Sequence, residues 1–120
     1  MRLIRSFTYA LNGIWSCLKM ERNFRIHACL AVMAVMLGIF LHISPGEWLV
    51  ILVCIMMVMV AELINTAIEK LCDFVHPGHH PGIKVVKDVA AGAVLAAAIF
   101  SLCCGMIIFL PRITECIKSF

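Results

Sequence analysis

The segment Val89–Leu110, VAAGAVLAAAIFSLCCGMIIFL, carries no charged side chain. A bilayer core about 30 Å thick is crossed by roughly 20 mostly apolar helical residues, so this run can span one. Two further stretches repeat the signal. Ile26–Ile43 is broken only by the weakly polar His27 and His42, and Trp48–Ala61 is apolar throughout. The second of these is too short to cross alone, and becomes long enough only if its helix runs on into AELINTAIEKLCD. Of the 120 residues, 63% are hydrophobic and 14% charged, well beyond the roughly 45–50% apolar usage of soluble domains. The expected fold class is therefore an all-α membrane protein forming one domain over residues 1–120.

The opening MRLIRSFTYALNGIWSCLKMERNFR has charges to its end and no sustained apolar core, so it does not read as a secretory signal. Leu3, Ile4, Phe7, Leu11, Ile14 and Leu18 recur near one helical face, which predicts an amphipathic surface helix over about 3–20, weakened by Gly13. A polar elbow is expected over 21–25, then membrane helices over 26–43, 48–75 and 88–110. Pro45 and Gly46 mark one turn, and VHPGHHPGIKVV (75–86) reads as a loop on the opposite side.

Charge sets the orientation. Arg2, Arg5, Lys19, Arg22 and Arg25 precede the first span, and Lys70, Lys84 and Lys87 lie between the second and third. Only Arg112 and Lys118 fall on the other side. Positive charge stays in the cytoplasm, so the N-terminus is expected inside and the C-terminus outside. The seven cysteines predict no disulfide framework: most sit in apolar runs, where a thiol acts as a small hydrophobe, or on the reducing side.

Within AELINTAIEKLCD, the residues Glu62, Asn65, Glu69 and Asp73 fall within roughly 80° of one another on a helix turning about 100° per residue. Glu62 lies about 21 Å along that helix from Trp48, and Glu69 and Asp73 some 10 and 16 Å further. The acidic stripe thus runs from inside the lipid layer out to water. A carboxylate in a span costs about 2.5–3.5 kcal/mol on insertion scales, so such a residue is expected to have a function. A stripe of this shape can join a buried hydroxyl to a charged, soluble co-substrate. Glu21, in MERNFR, stands at the level of Glu69, and two carboxylates there make a hard oxygen site suited to magnesium with phosphates. Lys87 and Asp88 open the third span at the same level, where a lysine can neutralise phosphate oxygens.

Blander readings exist for each group. Glu62 and Asn65 can hydrogen-bond neighbouring helices, Glu69 can pair with a nearby cation, and Lys87 can be an ordinary anchor at a span end. Cys72, His76, His79 and His80 are clustered, but match no usual zinc spacing. No GxxxxGK[ST] loop and no kinase Gly-rich loop occurs. A small proton-coupled transporter and a non-catalytic assembly subunit are the competing classes. A transporter requires its acidic residue near the midplane, whereas this stripe lies toward one face.

ERNFRIH (21–27), ELINTAIEKLCD (62–73) and KDVAAGAVL (87–95) together resemble the prokaryotic integral-membrane lipid kinases, the diacylglycerol kinase and undecaprenol kinase family. The resemblance covers nearly the whole chain in order. It implies a homotrimer with active sites shared between subunits, moving the γ-phosphate of ATP onto a lipid alcohol at the cytoplasmic face. By matching positions, Glu62 looks like the catalytic base and Asn65 its companion. Glu21 and Glu69 look like the pair that binds Mg2+. Lys87 and Asp88 would line the phosphate-transfer site. Asp73, Arg2, Tyr9, Gly78, His79 and His80 would complete the nucleotide side. ERNFRIH and ISPGEW look more like the undecaprenol branch than the diacylglycerol branch. The partners expected are therefore ATP, a lipid alcohol and the membrane, with no nucleic acid.

Overall fold

Hydrocarbon offers a peptide group no hydrogen-bond partner, so a chain this apolar must satisfy its backbone internally. The computed structural model describes residues 1–120 and does so almost wholly with helix: of 101 backbone–backbone hydrogen bonds, 90 lie within helices. The order is α1 (Arg2–Met20), α2 (Arg22–Leu41), α3 (Pro45–Val75) and α4 (Pro81–Lys118). Helices α2, α3 and α4 are each long and apolar enough to cross a membrane. At 1.5 Å per residue, α4 alone is about 57 Å long, which accounts for the 58 Å longest dimension of the molecule. Helix α3 is the hub, packing most extensively on α4, then on α2, and touching α1.

The boundaries differ from expectation at four places, the first being α3, which begins at Pro45 and not 48 because Pro45 takes the first helical position after the Ser44 cap. The elbow expected over 21–25 shrinks to Glu21 alone, in extended conformation, and α2 already begins at Arg22. The cause is Arg25, whose guanidinium donates to the Leu18 and Lys19 carbonyls at 3.0 and 2.7 Å. Those carbonyls end α1 and have no partner within it. Helix α4 begins at Pro81, not 88. Pro81 occupies the first helical position, where its missing N–H is no loss, and His80 Nδ1 accepts from the Gly82 N–H at 3.0 Å. At its far end α4 continues through Pro111 to Lys118. Arg112, just beyond, donates to Glu47 at the start of α3, and Ile108, Phe109 and Ile113 pack with Ile43 and Ile51. These contacts hold the last turns in place.

Glu47 also serves the α2–α3 turn. Its N–H donates to Ser44 Oγ at 3.2 Å and its Oε1 accepts from the Ser44 N–H at 2.9 Å, a reciprocal capping box ahead of Pro45. Helix α2 ends at His42, whose φ of 54° is left-handed. The N–H groups of His42 and Ile43 turn back to the Ile39 and Gly38 carbonyls. The tightness of this turn fixes Gly38. A Cβ there would stand 2.8 Å from Trp48 Cη2 and 3.1 Å from Ile43 Cδ1, whereas one at Gly13 would meet nothing within 4 Å.

Two substitutions are therefore expected to have opposite signs. Gly38→Val should destabilise the protein by about 1–3 kcal/mol through overpacking against Trp48. Gly13→Ala should stabilise it by up to about 1 kcal/mol by removing helical glycine. Denaturation in mixed micelles, followed by circular dichroism, checks both.

Candidate active site

The stripe on α3 forms as its spacing requires. Glu62 and Thr66 are only 4% and 3% exposed, while Glu69 and Asn65 are partly covered and Asp73 is exposed. Residues four apart share a helical face, so Thr66 belongs to the same row as Glu62 and Glu69. Its hydroxyl extends the polar face beyond the four residues expected.

Each carboxylate has a different neighbour. Glu62 Oε1 is 3.2 Å from Nε2 of His27, which reaches across from α2. Glu69 Oε1 accepts from Asn65 Nδ2 at 3.3 Å. The other end of that amide, Asn65 Oδ1, is buried without a donor. An orphaned acceptor costs about 1–3 kcal/mol, so a ligand N–H or O–H placed there would recover it. Asp73 Oδ1 accepts from Lys87 Nζ at 2.6 Å, which ties α3 to the start of α4. Glu21 and Glu69 both act electrostatically on Glu62, and Glu69 and Asp73 both act on Lys87. Glu21, at the α1–α2 joint, thus joins Glu62, Asn65, Glu69, Asp73 and Lys87 at one end of the helices.

The other expected residues stand apart from that cluster. Asp88 is bonded to Lys84 on its own helix at 2.6 Å. Gly78, His79 and His80 lie in the short exposed loop between α3 and α4, where His80 caps α4 and meets His76 edge-to-face at 5.2 Å. Arg2 and Tyr9 are exposed on α1, and neither side chain bonds to another side chain. No group of three or more His, Cys, Asp or Glu, Cys72, His76, His79 and His80 included, is arranged to hold a metal ion. Glu69, with the Asn65 amide beside it, offers oxygen donors of the kind magnesium takes alongside waters and substrate phosphates.

Two contributors escaped the sequence reading. Thr66 was detectable, since it falls on the row of Glu62 and Glu69. His27 carried a fainter signal, as a polar residue at the start of an apolar run, six positions after Glu21.

An apolar groove of about 730 Å³ runs along α3 and meets the stripe at Asn65. It is lined along α3 from Leu49 through Met56 and Val60 to Ile68, with Ala90 and Ala93 from α4. Asn65 is the one polar residue in its wall. From Leu49 to Ile68 the groove extends about 29 Å along the helix, close to the thickness of a hydrocarbon core. The groove and the carboxylates therefore occupy different faces of α3, with Asn65 common to both.

Known proteins share this plan. The family described as prokaryotic diacylglycerol kinase matches residues 8–109. The undecaprenol kinase of Bacillus subtilis strain 168 is 41% identical over 112 residues, covering 93% of this chain and 91% of that protein. A diacylglycerol kinase of Synechocystis is 38% identical over 110 residues, covering 91% of this chain and 63% of its own length. The diacylglycerol kinase of Helicobacter pylori strain J99 is 37% identical over 100 residues, covering 82% of this chain and 77% of the relative. With the match spanning the stripe, the α1–α2 joint and the start of α4, this chain belongs to the prokaryotic diacylglycerol kinase family of membrane lipid kinases.

Proposed function

We propose that the chain transfers the γ-phosphate of ATP to a membrane lipid alcohol at the cytoplasmic face, with undecaprenol favoured over diacylglycerol. The observation that carries this reading is the buried Glu62 carboxylate, set on the same helix as the apolar groove and the exposed end of the acidic stripe. A lipid lying in the groove brings its hydroxyl to the level where the chain changes from apolar to charged. Glu62 takes the hydroxyl proton as the lipid oxygen bonds to the γ-phosphorus. The bridging P–O bond breaks, and its electron pair leaves with ADP. Such a reaction needs positioning and charge stabilisation more than covalent chemistry from the protein.

Glu21 and Glu69 are the residues to hold Mg2+, which supplies charge neutralisation to the phosphates when bound. Asn65 orients the reacting groups through its unpartnered Oδ1. Lys87 leaves Asp73 for phosphate oxygens, and Asp88 borders the same site. Arg2, Tyr9, Gly78, His79 and His80 flank the nucleotide, which requires α1 and the 76–80 loop to close toward the cluster.

Support for undecaprenol comes from the Bacillus subtilis relative, named undecaprenol kinase, at 41% identity; the diacylglycerol alternative is supported by the names of the other two. Helix α1 is proposed to lie in the membrane interface, because Leu3, Phe7 and Leu11 are exposed along it. The bias of basic residues supports an N-terminus inside and a C-terminus outside. A homotrimer with shared sites is supported by the family resemblance. The single chain also buries only 15 of 120 residues, leaving ample apolar surface for other copies as well as lipid.

Three experiments test this reading. Purified protein in mixed micelles with γ-labelled ATP and magnesium should label undecaprenol in preference to diacylglycerol, and chelation of magnesium should abolish the transfer. Label in phosphatidic acid alone would reverse the substrate order. Glu62→Gln should lower kcat by about 10²–10⁴-fold, the usual weight of a general base, while equilibrium ATP binding persists. For the assembly, inactive Glu62→Gln and Lys87→Met chains, unfolded and reconstituted together, should regain activity; no recovery would argue for sites confined to one subunit.

A further inference from the structure

We propose that His27 is the positioning residue for Glu62: its Nε2, 3.2 Å from Oε1, holds that oxygen, so that Oε2 is left for the lipid hydroxyl. This inference rests on the reading of Glu62 as the base. Three titratable groups act on Glu62, namely His27, Glu69 and Glu21. Two are carboxylates, which repel it and cannot donate when ionised; only the imidazole can hold it. The 3.2 Å separation is within reach of an N–H···O bond, and the two side chains are 22% and 5% exposed, so water screens the contact little.

A glutamate needs such a partner for a geometric reason. The terminal torsion of its carboxylate is broad and roughly two-fold, so an unheld carboxylate turns freely. A donor on one oxygen fixes the plane and leaves the lone pairs of the other in a defined direction. Helix α2 is well placed to supply it. Phe24, three residues earlier and on the same face, is among the most deeply buried side chains at 2% exposed, and locks the rotation of α2 about its axis. Arg25 ties the same turn to the end of α1. The imidazole is thus carried on a segment with little freedom to rotate. During the reaction the lipid proton comes to rest on Oε2 of Glu62, and none crosses to His27.

The test pairs two substitutions in the full-length protein in lipid micelles. His27→Ala should lower kcat by about 10²-fold, the scale of an ångström misplacement of a reacting group, with KM for ATP nearly unchanged. His27→Gln, whose amide nitrogen stands close to the position of Nε2, should recover most of the loss. A packing role would not produce that split between kcat and KM, nor its rescue by a neutral donor. A fully active His27→Ala protein, or a His27→Gln protein no better than it, would overturn the proposal. A second measurement does not depend on turnover. In protein with 15N-labelled histidine, the Nε2 resonance of His27, identified by its loss in His27→Gln, should move in Glu62→Gln and stay put in Glu115→Gln. An unmoved resonance rules out the contact. A resonance that moves in Glu62→Gln, when the wild-type protein phosphorylates no lipid alcohol, would instead remove the base role from Glu62, so the two failures are told apart.

Discussion

A helix in hydrocarbon cannot stop where its function would prefer, because each broken turn leaves peptide groups with no partner. Helix α3 meets this constraint by running unbroken from Pro45 to Val75, about 46 Å by the helical rise and well beyond the thickness of a hydrocarbon core. The excess length at one end carries the acidic stripe. A soluble kinase gathers its site from loops. Here a single rod serves as membrane span, groove wall and carboxylate carrier, and the other helices are placed by how they meet it.

The concentration of negative charge at that end has to be offset from neighbouring elements. Lys87 does so from α4 and His27 from α2, each reaching α3 at a different depth. Lys87 contacts the exposed Asp73, where water screens the pair and the bond costs little to break. His27 meets the buried Glu62, where losing a partner is expensive. The site is therefore graded, with replaceable contacts toward water and persistent ones toward lipid.

How much of this could be read in advance depended on the distance over which each interaction acts. The stripe from Glu62 to Asp73 and the three apolar runs were readable because they follow from the helical repeat along one segment. The His27–Glu62 contact was not, since it joins two helices and leaves no period in either. Boundaries failed where one residue type serves opposite ends of a helix. The loop expected over 75–86 ends at His80 because proline also opens helices, and the span expected to end at 110 continues past Pro111 because contacts from Arg112 and Phe109 hold it. The elbow contracted because Arg25 supplies a cap from the next helix, which no local propensity encodes. The nucleotide side was named from family likeness alone, and Arg2, Tyr9 and His79 remain apart from the carboxylates in this conformation.

The joint at Glu21 has a mechanical meaning. One extended residue spans no more than about 3.6 Å, so α1 and α2 have almost no slack between them, and Arg25 removes part of what is left. The carboxylate sits on the pivot itself. Any change in the tilt of α2 relative to α1 is geared directly into the position of that side chain. The position of this carboxylate thus registers how α1 and α2 are angled to one another.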